Sequence, residues 1–139
     1  MPAALTHIAM HVQDLDACVD FYRRYADMNI VHERPHKHGK VMWLAERGKE
    51  KDFIVVLIPG GKNKQQDDRD FSHLGFAMES RKAVDDIADR ARADGILEWE
   101  TREEEYPVGY YCGVRDPDGN FVEFSFGQPL GPGAEDVDF

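Results

Sequence analysis

Apolar and polar residues alternate along LTHIAMHV, from Leu5, and again along FSHLGFAM, from Phe71. Alternation of period two puts successive side chains on opposite faces of a strand. Each strand-like run is followed by a stretch with helical spacing. Residues 14–26 bring Leu15, Val19, Tyr22 and Ala26 together, and residues 80–93 do the same with Val84, Ile87, Ala88 and Ala91. Ser80 suits an N-cap and Gly95 a helix stop. Three more strand-like runs follow each helix, at about 30–34, 41–46 and 53–58, then at about 97–101, 109–115 and 120–126.

The chain therefore repeats itself, with His73 standing 66 positions after His7. The pattern predicts an α+β fold of two tandem βαβββ modules, about 5–60 and 71–127, within a single domain over 1–127. The run Asp116-Pro117-Asp118-Gly119-Asn120 predicts a tight turn, with Pro fixing one φ and Gly free to take a positive one. Residues 59–70, polar and glycine-containing, read as the connector between modules. Residues 128–139 combine Gly, Pro and acids without periodicity and read as an extended acidic tail.

Strand parity assigns faces. Ile8, Met10 and Val12, then Leu74, Phe76 and Met78, then Val122, Phe124 and Phe126 form bulky apolar faces suited to packing under a helix. The opposite faces carry His7, His73 and Glu123 among mostly small neighbours, as a cavity wall would. An ionised Glu in apolar surroundings either raises its pKa or finds a cation. The equivalence of the two His residues under the repeat points to a divalent metal held by His7, His73 and Glu123. Two imidazoles and one carboxylate with open positions match the facial arrangement of non-haem Fe(II), so Fe(II) is favoured, while Mn, Zn, Ni or Co would fit the same donors.

Charge and composition narrow the partners. With 32% charged and 42% hydrophobic residues the chain can build both a core and a solvated surface. Its formal charge of −10 leaves no basic stripe for a phosphate backbone, which argues against nucleic acid. No apolar run approaches a membrane span and no basic segment precedes a signal-like stretch, so a cytoplasmic protein is expected. Cys18 and Cys112 form no disulfide framework. His11 shares the face of His7 and is a candidate acid or base. Of the neighbours Tyr110 and Tyr111 only one can face the cavity, as a donor to a bound oxygen. Trp43 and Phe121 are candidates for an aromatic substrate pocket. The run HERPHKHGK, with His32, His36 and His38, reads as a solvated loop.

THIAMHVQDLDACVDFY, the repeated SHLGF and DPDGNFVEF resemble the vicinal oxygen chelate superfamily of glyoxalases, bleomycin resistance proteins and extradiol dioxygenases. The resemblance implies a cupped mixed sheet with helices on its outer face, metal positions at His7, His73 and Glu123, a small-molecule substrate and a homodimer. A fourth family position falls, at the same offset of 66, on Leu57, and no register over 53–58 supplies a carboxylate there. That removes the proton-moving Glu of glyoxalase-type isomerisation. Ala9 stands where fosfomycin-type transferases have Thr, and no Arg closely follows Glu123. The remaining resemblance is to a metal-dependent dioxygenase, with a lyase or thiol transferase, and a metal-free drug-sequestering protein, as rivals. Asp27 stands where the family often has the Gly that ends its first helix, a turn Asp tolerates.

Overall fold

The computed structural model describes residues 2–139, which divide into two compact units, one ending at Gln65 and the other running from Gln66 to Phe139. The boundary falls inside the connector read from the sequence. Each unit holds one four-stranded mixed sheet and one helix, so the tandem βαβββ reading of an α+β chain holds.

In the first unit β1 (His7–Val12) leads to α1 (Leu15–Ala26), then β2 (Asn29–His36), β3 (Gly39–Ala45) and β4 (Ile54–Pro59), ordered β1-β4-β3-β2. β1 runs parallel to β4, and β3 runs antiparallel to both β2 and β4. Asp14 caps α1 by accepting from the Ala17 amide at 3.1 Å, and Asp27 ends it in the left-handed region at φ 52°. Its buried face is Cys18, Val19, Phe21, Tyr22 and Tyr25, with the Phe21 and Tyr25 rings stacked at 4.9 Å. HERPHKHGK is not a loop. Its first five residues finish β2 and its last two begin β3, leaving only Lys37 and His38 in the turn, because the Val, Met and Trp that follow pair a full antiparallel hairpin. His32 packs edge-on against Trp43 at 5.1 Å, and the His38 ring sits where a Cβ on Gly60 would fall.

The second unit repeats the plan with β5 (His73–Ala77), α2 (Arg81–Ala93), β6 (Leu97–Glu104), β7 (Gly109–Arg115) and β8 (Phe121–Phe126), ordered β5-β8-β7-β6. α2 lies against β6, β7 and β8. Its buried Val84, Ile87, Ala88 and Ala91 face a sheet surface built from Cys112, Val114, Val122 and Phe124. Phe76 stacks on Phe124 at 5.5 Å, which joins β5 to the same core. Burial pushes the Cys112 thiol up to about 12, so it packs as a small apolar group. Ser80 accepts from the Ala83 amide at 3.0 Å as the N-cap of α2. Ser80→Ala is expected to cost about 1 kcal/mol, read as a lower urea midpoint with an unchanged slope.

The DPDGN turn closes as its residues predict. Asp116 Oδ1 accepts from the amides of Asp118 and Asn120, each at 2.9 Å, and Gly119 takes φ 85°. Gln66, at the start of the unit, pins this region: its side chain accepts from the Phe121 amide at 3.0 Å and donates to the carbonyls of Asp70 and Ser72. The tail is less extended than its composition suggests. It contains turns, and Tyr106 donates its hydroxyl proton to the Asp138 carbonyl at 3.0 Å. Among the described residues no helix is long and apolar enough to cross a membrane.

Candidate functional site

The face of the second sheet opposite α2 forms a cavity of about 790 Å³. Parity and register build it. His73 and Gly75 point to this face from β5, Glu123 from β8, and Tyr111 and Gly113 from β7. Gly75 pairs with Glu123 in the parallel ladder, and a Cβ there would stand 3.5 Å from Glu123 Oε2, so the small residue leaves the carboxylate its space. β6 contributes Trp99 and Arg102 because its pairing to β7 is irregular on both sides of Trp99, which re-aims side chains. The Trp99 indole lies directly on Gly113, where any Cβ would come within 2.2 Å of the ring.

His73 and Glu123 meet in this cavity. The His73 Nδ1 lies 2.6 Å from the Phe71 carbonyl, which assigns the ring proton to Nδ1 and leaves Nε2 as an acceptor. That Nε2 faces Glu123 Oε1 at 3.8 Å, too far for a strong hydrogen bond and wide enough for an ion to be shared. Trp99 packs edge-on against His73 at 5.5 Å and fixes the ring from the side. Glu123 is only 8% exposed. Burial raises its pKa, a trend that the nearby His73 and a hydrogen bond from Gln128 oppose.

The other carboxylates of the cavity have their own partners. Glu98 pairs with Arg115 at 2.9 Å, Glu100 with Arg92 at 2.6 Å, and Glu104 accepts from the Tyr111 hydroxyl at 2.6 Å. Glu123 has no Lys or Arg within ion-pair distance among the described residues, and Gln128 Nε2 reaches its Oε2 at 3.4 Å. A buried carboxylate beside a tautomerically fixed imidazole is a donor pair that a divalent cation fits.

The strand also decides between the two tyrosines. Tyr111 lines the cavity, and burial followed by its bond to Glu104 raises its pKa. Tyr110 lies on the helix face, where it donates to Asp85 of α2. Phe121 is a correction to the pocket reading: it is fully buried beneath Trp99, at 5.2 Å, and the Arg115 guanidinium, at 4.5 Å. The aromatic wall is instead Trp99 with Phe71, which is 68% exposed. Trp99 was hidden in the sequence because irregular β6 pairing breaks its alternation.

In the first unit His7, Ala9, Trp43, Val56 and Arg34 line a smaller cavity of about 370 Å³. His7 Nδ1 lies 3.0 Å from the Thr6 hydroxyl. His11, at the other end of β1, is exposed, and its carbonyl accepts from Lys64 Nζ at 2.5 Å. Register corrects the fourth family position. His7 pairs with Ile54 as His73 pairs with Phe121, so the equivalent of Glu123 is Val56 and not Leu57. The offset grows by one residue because the path from β1 to β4 is one shorter. Val56 is as carboxylate-free as Leu57, and Leu57 is buried on the helix side. Among the described residues no three His, Cys, Asp or Glu side chains form a group able to hold a metal; of the three expected ligands, His73 and Glu123 meet within the second unit, and His7 belongs to the first.

Comparison with known proteins places these observations in context. The family model described as the Glyoxalase/Bleomycin resistance protein/Dioxygenase superfamily matches residues 4–124. The uncharacterized protein PA2024 of Pseudomonas aeruginosa is 56% identical over 135 residues, covering 97% of this chain and 96% of its own. Among solved structures, the fosfomycin resistance protein FosX of Listeria monocytogenes, complexed with Mn(II) and sulfate, superimposes with a TM-score of 0.71 at 20% identity, over 92% of this chain and 93% of its own. The antibiotic binding protein TnmS3 of Streptomyces sp. CB03234 gives 0.61 at 20% identity, over 91% and 98%.

Proposed function

Because the chain belongs to the glyoxalase/bleomycin resistance protein/dioxygenase superfamily, we propose that it is a divalent-metal-dependent enzyme acting on a small molecule held through vicinal oxygens, with dioxygenase chemistry as its leading reaction. The observation that carries this reading is the His73 and Glu123 pair, 3.8 Å apart in a cavity large enough for a substrate. His7, the register equivalent of His73, is the proposed third donor. Two imidazoles and one carboxylate favour Fe(II), with Mn, Zn, Ni or Co as substitutes. When bound, the ion supplies Lewis acidity toward substrate oxygens and, as Fe(II), redox capacity toward O2.

The remaining work falls to the chain's own groups. The Phe71 carbonyl keeps the His73 Nε2 lone pair turned inward. Trp99 and Phe71 exclude water from one wall and offer ring faces to a planar substrate. Tyr111, now donating to Glu104, can turn its hydroxyl to a substrate oxygen. Val56 at the Glu123-equivalent position leaves no second carboxylate for a glyoxalase-type proton transfer. Arg102, which lines the same cavity, favours a second reading: an oxygen-independent lyase or transferase reaction on an anionic substrate.

Oxygen uptake separates the readings. Fe(II)-reconstituted protein given a panel of catechols is expected to consume O2 in step with substrate loss. Equal turnover under anaerobic conditions would replace the oxygenase with a lyase, and tight ligand binding without metal uptake would leave a sequestering protein. We also propose a homodimer, which sedimentation equilibrium would register as twice the 15.9 kDa chain mass.

A further inference from the structure

We propose that Gln128 is a positioning residue for Glu123, and that the tail after it is a strap that holds it in place. This inference rests on the metal reading above and extends it beyond the last strand. The two oxygens of Glu123 have different neighbours: Oε1 faces His73 Nε2 at 3.8 Å, and Oε2 receives the Gln128 side-chain amide at 3.4 Å. An ionised carboxylate only accepts hydrogen bonds, so the amide presents its NH2 end. A Glu side chain turns about several bonds, and engaging one oxygen limits the sweep of the other. Gln128 therefore leaves Oε1 as the oxygen turned toward His73, which is where a shared cation would be held. A neutral donor does this without competing with the cation, as an Arg or Lys at the same place would.

The chain path explains how Gln128 gets there. Gly127, at φ 94°, turns the backbone at the end of β8. The segment from Phe126 to Gln128 then lies so close to Gly109 that a Cβ on Gly109 would come within 2.6 Å of the Phe126 carbonyl. Gly131, at φ 82°, seats against Ala77, with 2.9 Å between the Ala77 Cβ and the place its own Cβ would occupy. Ala77 shares the cavity-side parity of β5 with His73. Tyr106 then fastens the Asp138 carbonyl at 3.0 Å. These attachments use backbone proximity and one hydroxyl rather than a strand or helix, which is why residue periodicity did not reveal them.

The test is calorimetric titration of Mn(II) into the full chain and its variants, with the visible spectrum of the Co(II) forms recorded alongside. Gln128→Met keeps the length and removes the donor, and is expected to weaken metal binding about tenfold and shift the Co(II) bands, with the melting temperature of the chelated protein unchanged. Gln128→Asn, a shorter donor, should fall between. Gly131→Ala should unseat the strap and weaken binding by a smaller factor in the same direction. Wild-type affinity and an unchanged Co(II) spectrum in Gln128→Met would overturn the proposal while the metal reading stands. A wild-type chain that takes no metal would overturn both. An effect in the Gln128 variants with none in Gly131→Ala would overturn the strap alone.

Discussion

Replacing His73 by Ala is expected to abolish measurable divalent metal binding by the isolated protein. His73 is an asymmetric residue in energetic terms. Its ring is about one third exposed, so truncation removes little packing, yet its Nε2 is the donor nearest Glu123 Oε1. Losing an outer partner of a metal ligand costs roughly ten- to a hundredfold in affinity, and losing the ligand itself should cost at least the upper figure. Calorimetry with Mn(II) and Co(II) checks it, and unchanged affinity would remove His73 from the donor set.

The same pair predicts a pH dependence in the metal-free protein. Burial holds the native pKa of Glu123 above its reference of 4.5. The native state then binds the proton more tightly than the unfolded one, so its contribution to stability is present below the unfolded value. It is lost as pH rises through the raised native value. Adding metal should reverse that loss, because an ion offsets the cost of the buried charge. Urea midpoints across mildly acidic pH, with and without Mn(II), would show the two curves separating as Glu123 ionises.

Phe124→Ala is expected to be the most destabilising single change, at about 3 to 5 kcal/mol. Phe124 has no exposed surface, stacks on Phe76 across β5 and β8, and stands opposite Cys112 in the ladder beneath α2. Truncation removes buried area, leaves a cavity between a helix and two strands, and takes away the ring pair. Whole-domain stabilities are only about 5 to 15 kcal/mol, so a large share would be lost. Chemical denaturation should show a sharply lower midpoint. Retention of the wild-type midpoint would mean that the core does not depend on the Phe76 and Phe124 contact.

What could be read from the residues was whatever repeats locally. The alternation at β1 and β5, the spacing of α1 and α2, Ser80 as a cap, Asp27 in a left-handed turn and the DPDGN hairpin each depend on a few neighbouring side chains, and each appears in the structure. The pairing of His73 with Glu123 was also within reach, because parity and the repeat place both on one face. Leu57 was the wrong partner for Glu123 because an offset read on one strand does not survive a connection that differs by one residue. A shift of one position turns a strand residue to the other face. Phe121 was misplaced for a related reason. β8 lies between β5 and β7 and is buried on both faces along nearly all its length, so parity could not tell a cavity wall from a second core.

The sequence by itself determined two βαβββ modules, their caps and turns, and a lone carboxylate on the same strand face as a histidine, since these follow from periodicity and short-range chemistry. Only the tertiary structure decided that Tyr111 faces the cavity while Tyr110 meets Asp85, that the Trp99 ring lies against Gly113, and that Gln128 returns to Glu123. Those facts depend on register across the sheet, on irregular pairing in β6 and on how closely glycine lets two backbones approach. Such quantities are set by how neighbouring strands and the chain after them pair and turn, and no periodic pattern carries them.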